Sequence, residues 1–242
     1  MSGHSKWKNI MHKKEKTDSQ RASVFTKIGR EITLCVKEHG PDPTSNSKLK
    51  DLIAKAKQNN VPNDNIERVI KKAAGGGDDT NYEEITYEGY GPAGIAVLVE
   101  CLTDNRNRTA GNLRHYFDKN NGNLGQTGSV NWMFSKKGVI VIEKEEYDED
   151  KLMEVLMSTP CEDFVTEAEV YEIYTQPDEA FTETKKTLED AGYTFLSAEE
   201  EMVPSNYTAI PDEESREKMQ KLLDMLEDDD DVQNTYHNWN EE

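Results

Sequence analysis

Three segments early in the chain repeat apolar residues at helical spacing. Phe25, Ile28, Ile32 and Val36 recur every three or four positions and predict a helix over 18–39 with one apolar face. Gly40-Pro41-Asp42-Pro43 stops it. Leu49, Leu52, Ile53 and Ala56 predict a second helix with Ser47 as its cap. Ile66, Val69, Ile70 and Ala73 predict a third, opening at Pro62, where a missing N–H costs nothing. The run Gly75-Gly-Gly-Asp-Asp79 ends that helix and reads as a hinge over 75–77.

Beyond the glycines the period shortens and strands take over. Segments 85–90 and 94–102 predict a hairpin, followed by a helix over 106–120 and, after a turn-rich stretch, a strand over 130–134. Then come a strand (139–143), a helix (148–157), two strands (163–167 and 170–175), a helix (178–191) and a strand (194–203). That βαβ–βαβ order is the ferredoxin-like arrangement. A final helix (212–226) and strand (232–237) are too little for a domain and complete the earlier ββαβ set. The expected fold is α+β: an N-terminal three-helix domain followed by two ferredoxin-like-type α/β domains, one inserted in the other. The expected boundaries are 1–78, 79–135 with 204–242, and 136–203.

Charge divides along the same line. Residues 1–75 hold 16 Lys and Arg against 8 Asp and Glu, a net of +8, within a chain whose net charge is −19. A basic module on an acidic body can engage phosphate while the body resists spreading along polyanions. Cys35, Cys101 and Cys161 are odd in number and widely spaced, which suits a reducing cytoplasm rather than a disulfide framework or a zinc site. The first residues hold no apolar stretch of the secretory kind, and the run 95–99 is far too short to cross a bilayer, so no membrane partner is expected.

Several motifs that suggest chemistry do not hold up. Gly89-Tyr-Gly91-Pro-Ala-Gly94 spells a dinucleotide fingerprint, but a strand-like run follows it where a helix is required, so it reads as a hairpin turn. Gly75-Gly-Gly lacks the Gly-Lys-Ser/Thr ending of a phosphate loop. The five histidines never take the spacing of a helical metal pair, and no nucleophile elbow occurs. The acidic run 227–231 reads as a solvated helix end rather than a magnesium site. No catalytic residue, metal ligand, cofactor or small-molecule substrate is expected, and the chain is not read as an enzyme.

Four stretches point to nucleic acid instead. The first holds His4, Lys6, Trp7, Lys8, His12, Lys13 and Lys14, cations flanking an indole that suit phosphate contact and base stacking. The second is the basic face of the three helices: Arg21, Lys27, Arg30, Lys55, Lys57, Arg68, Lys71 and Lys72. The third is Thr103-Asp-Asn-Arg106-Asn-Arg108-Thr109, where Asp104 or Asn105 caps a helix whose N-terminus favours anions beside Arg106 and Arg108. The fourth, Gly122-Asn-Leu-Gly125-Gln-Thr-Gly128-Ser, is rich in backbone donors and reads first as a structural turn.

Together these stretches resemble the YebC family of transcriptional regulators, whose mitochondrial relatives are described as translational activators. The matching strings are Gly3-His-Ser-Lys-Trp7, Phe25-Thr-Lys-Ile28, Asn63-Asp-Asn-Ile-Glu-Arg68, the run from Asn81 to Pro92, Glu100 to Thr109, Gly122-Asn-Leu-Gly125 and Asp231 to Asn238. Local departures fall in the run from Met11 to Arg21 and in Gly125-Gln-Thr-Gly-Ser129. The resemblance implies the same three-part fold. It leaves two functions open: a DNA-binding transcription factor, or a translation factor that helps ribosomes through proline-rich stretches. The basic module favours a ribosome-associated factor that binds structured RNA. Duplex DNA is the alternative target, and an adaptor that binds a basic protein through the acidic domain is the second alternative.

Overall fold

A computed structural model describes residues 18–75 and 80–240. The chain forms two compact units: one of 18–75, 80–129 and 212–235, the other of 130–211 with 236–240.

The first unit opens with α1 (Asp18–His39), α2 (Ser47–Gln58) and α3 (Asn63–Ala74). Ile28, Ile32, Cys35 and Val36 of α1 pack with Leu49, Leu52 and Ala56 of α2 and Ile66 and Ala73 of α3. Gly40 takes φ +87, the left-handed conformation that lets its N–H return to the Val36 carbonyl at 2.9 Å and close α1. The cap of α2 is Asn46, not Ser47. The Asn46 side-chain oxygen accepts from Leu49 N–H at 3.0 Å while its amide donates to the Gly40 carbonyl at 2.9 Å. A serine hydroxyl cannot span both partners, so the amide one position earlier wins and Ser47 becomes the first helical residue.

The same unit continues with β1 (Glu83–Tyr90), β2 (Ala96–Thr103), α4 (Arg106–Lys119) and the short β3 (Asn123–Leu124). After the second unit it closes with the long C-terminal helix and most of the strand that follows. β1 and β2 form the expected antiparallel hairpin, joined by a tight turn at Pro92–Gly94 where the dinucleotide motif would need a helix. Gly122 lets the chain return to β1: a Cβ there would lie 2.7 Å from the Tyr90 carbonyl oxygen.

The second unit contains β4 (Phe134–Glu143), α5 (Glu149–Leu156), β5 (Cys161–Thr166), β6 (Val170–Thr175), α6 (Glu179–Asp190), β7 (Ser197–Pro204) and β8 (Thr208–Ala209). Its main sheet runs β5-β6-β4-β7 with every neighbouring pair antiparallel, the ferredoxin-like order. Ile140, Ile142, Tyr171 and Ile173 pack with Leu152 and Leu156 of α5 and Leu188 of α6.

The chain then returns to the first unit through α7 (Glu213–Asp228) and β9 (Val232–His237) before β10 (Trp239–Asn240) pairs in parallel with β8. β9 joins the first sheet, whose order is β3-β1-β2-β9, so the apolar β2 lies inside it. Its interior includes Leu98, Leu113 and Phe117, with Met219, Leu222 and Leu226 of α7 also buried.

One further expectation changes. Segment 130–134 is not a strand: Asn131–Met133 makes a single helical turn and Phe134 opens β4. Val130, Trp132 and Phe134 alternate as a strand would, yet Trp132 is 74% exposed while its two neighbours are buried. The helices and the ββαβ set lie in one compact unit, and the other begins at Val130 and includes 236–240.

Candidate nucleic-acid interface

Helical periodicity that buries one side of α2 and α3 puts their cations outside. Lys48, Lys50 and Lys57 are exposed on α2, and Arg68, Lys71 and Lys72 on α3. Lys48 is an off-face residue in the sequence pattern, and Lys50, which that pattern did not single out, carries the same signal beside buried Leu49. Lys55 is half-buried and pairs with Glu31 at 3.6 Å. Asp64, Glu67, Arg68, Lys71 and Lys72 line an open concavity of about 460 Å³ on α3.

The α1 cations have a different setting. Lys27 Nζ donates to the Glu227 carbonyl at 2.5 Å. Arg30 donates to Asp231 Oδ1 at 2.6 Å and to the carbonyls of Asp230 and Leu102 at 2.9 and 3.2 Å. Arg108, in the first turn of α4, also reaches Asp231, with Nη2 2.9 and 2.8 Å from its two oxygens, and pairs with Asp104 at 2.7 Å. The fully buried Thr109 adds a hydroxyl donor at 2.8 Å. Asp231 is thus a clasp that ties α1 to the start of α4. Burial by itself pushes its carboxyl up, but hydrogen bonds from Arg108, Arg30 and Thr109 outweigh this and hold it below the usual value. The same contacts raise the Arg108 pKa, led by its bond to Asp231.

Two more residues of the acidic run are engaged. Asp229 accepts from the Tyr116 hydroxyl at 2.9 Å and Asn112 at 3.2 Å, and Asp230 accepts from the Ser23 hydroxyl at 2.8 Å. Burial and the Asp229 bond push Tyr116 up to about 12. The run 227–231 is therefore only in part a solvated helix end, with Asp228 and Asp230 exposed. Its last residues are packed against α1 and α4, a role that a charge run does not announce.

Arg106 stands at the first position of α4 and is exposed, with Asn105 as the cap that accepts from Arg108 N–H at 3.1 Å. Arg106 and Arg108, two residues apart, are both exposed, but Arg108 is tied to Asp104 and Asp231. The glycine-rich stretch spends its backbone donors internally: Gly125 N–H reaches the Glu88 carbonyl and Gly128 N–H the Glu88 carboxylate, each at 2.7 Å. Its role is structural.

His4, Lys6, Trp7, Lys8, His12, Lys13 and Lys14 lie outside the described residues, as do Gly76 and Gly77 of the expected hinge; of Arg21 only the helical backbone is described. Among the described residues no group of three or more His, Cys, Asp or Glu is placed to hold a metal ion. Nor is any helix among them long and apolar enough to cross a membrane.

Comparison with known proteins places this geometry in a family. Residues 5–76 match the family model described as the TACO1/YebC protein N-terminal domain, and residues 82–239 match that of the TACO1/YebC second and third domain. A "probable transcriptional regulatory protein" of Acetivibrio thermocellus is 60% identical over 99% of each chain. One of the same name from Caldicellulosiruptor bescii is 58% identical over 100% of this chain and 99% of its own. The crystal structure of a conserved hypothetical protein from Aquifex aeolicus superposes with a TM-score of 0.82 at 42% identity, covering 93% of this chain and 92% of the other. From its helical N-terminus through both sheet-containing regions, the chain belongs to the TACO1/YebC family.

Proposed function

We propose that the protein is a non-enzymatic regulator of gene expression that binds nucleic acid, with structured RNA on the ribosome as its target. The observation that carries this reading is the outward set of Lys48, Lys50, Lys57, Arg68, Lys71 and Lys72 on a chain of net charge −19. Asp51, Asp64 and Glu67 are exposed on the same two helices, so the face is net positive rather than one-signed, and a net-positive face on an oppositely charged body gives a directional approach to a polyanion. Arg106 adds a second cationic point at a helix N-terminus. Lys27, Arg30, Lys55 and Arg108 have intramolecular partners and serve the surface by holding it together.

Duplex DNA is the second reading. The relatives' printed name favours it, as does α3, which brings Asn63, Asn65 and Arg68 into its first two turns, the side-chain types that read base edges.

Sedimentation of native lysate tests the first reading. Salt-sensitive migration with ribosomal particles is expected, and its loss in a Lys57→Glu/Lys71→Glu/Lys72→Glu variant. Purified protein should lose about one unit of salt slope for each phosphate contact removed. A variant that sediments and binds as the parent does refutes the assignment.

A further inference from the structure

Two of the strings that carry the family resemblance, Phe25 to Ile28 and Asn63 to Arg68, lie far apart in sequence but meet on one groove. Where α1 packs on α3 they line a cavity of about 220 Å³. Its apolar wall includes Phe25, Ile28 and Val69, and its polar edge Thr26, Asn65 and Arg68. A dry cavity of about 150 Å³ takes a benzene ring, so this groove has room for one base and not for a whole nucleotide. Arg68 Nη2 donates to the Asn65 side-chain oxygen at 3.0 Å, which leaves the Asn65 amide nitrogen as a donor for a base edge. Arg68 also lines the neighbouring concavity with Asp64, Glu67, Lys71 and Lys72. One residue therefore borders both an apolar slot and a shelf whose three cations outnumber its two carboxylates.

We infer that this groove receives a single unstacked base of single-stranded nucleic acid, with the adjoining backbone phosphates on Arg68, Lys71 and Lys72. The inference rests on the nucleic-acid-binding reading above and deepens it. An apolar side chain of a partner protein would fill the slot but leave the cationic shelf unused. A duplex would use the shelf, but its stacked bases cannot enter the slot. A base splayed from a loop or single strand satisfies both features.

The test uses the full chain and short single-stranded RNA carrying 2-aminopurine, with a duplex of the same sequence as control. Thr26→Trp fills the slot from its exposed edge without changing charge, and Asn65→Ala removes the edge donor. Thermal melting checks that each variant folds, and Asn65→Ala serves alone if Thr26→Trp does not. The parent should change 2-aminopurine emission on binding. Thr26→Trp should bind the single strand about tenfold more weakly, the scale of one lost base stack, with an unchanged salt slope and unchanged duplex affinity, and Asn65→Ala should weaken single-strand binding with an unchanged salt slope. If the parent binds no nucleic acid, the proposed function fails and takes this inference with it. If the parent binds and folded variants match it in affinity and emission, the groove assignment alone is overturned.

Discussion

Replacing Asp231 with alanine probes the contact on which the helical module's placement depends. The carboxylate is 4% exposed and accepts from Arg30, Arg108 and Thr109. Its removal leaves the Thr109 hydroxyl buried with only Thr103 and the Asn105 carbonyl, and the 16%-exposed Arg30 guanidinium without its counter-charge. Removing one partner of a buried ion pair costs roughly 3–5 kcal/mol. Two features move this site to the lower end. Arg108 is 42% exposed and keeps Asp104, and Arg30 keeps two carbonyl acceptors. A loss of about 3 kcal/mol follows, a sizeable part of the ~5–15 kcal/mol available to an ordinary domain. Urea unfolding followed by far-UV circular dichroism should show the midpoint falling by about 1–2 M. A cycle with Arg108→Ala should show that the two losses do not add, since both remove the same bond. A shift below about 0.5 kcal/mol, the scale of an ordinary surface change, would refute the clasp.

Other expectations follow from the same contacts. Arg108→Ala should lower stability by about 1–2 kcal/mol, whereas Arg106→Ala should leave it unchanged and weaken RNA binding; equal stability for the two would contradict the tie of Arg108 to Asp231. Burial lowers the His237 pKa to about 4, with Nδ1 accepting from the Trp239 N–H at 3.3 Å. The unfolded chain therefore takes up this proton near pH 6.5 and the folded chain only near 4, so stability should fall as pH drops through that window; His237→Gln should flatten the slope, measured by thermal melts across pH. Asp231 is depressed instead, so the clasp is intact at neutral pH and should be lost only on acidification below about pH 4, seen as convergence of parent and Asp231→Ala stabilities. Gly122→Ala should cost about 1–3 kcal/mol by forcing a Cβ against the Tyr90 carbonyl, without changing the salt slope of RNA binding.

The helices, the hairpin and the inserted βαββαβ order were legible because each rests on periodicity within a short window. Ser47 against Asn46 shows where that stops: both are good caps, and only the approach of the Gly40 carbonyl favours the amide. Segment 130–134 misled because Trp132 keeps a strand's alternation while standing exposed. At the candidate interface, the cations of α2 and α3 were legible as off-face residues of amphipathic helices. Lys27, Arg30 and Arg108 carry the same charge in the same kind of pattern, yet their partners lie in the acidic run near the end of the chain.

The sequence by itself determined most of the element types, the ferredoxin-like order, the split of charge between a basic start and an acidic remainder, and the family. All of these are sums or patterns over neighbouring residues. Tertiary structure decided which cations face solvent and which are consumed, and it brought Phe25 and Asn65 to one groove. Arg30 and Arg108 meet one carboxylate 201 and 123 residues further along the chain. Whether a charge is a ligand contact or a structural tie depends on which opposite charge shares its desolvated space. That choice is made by packing, and no local period in the sequence records it.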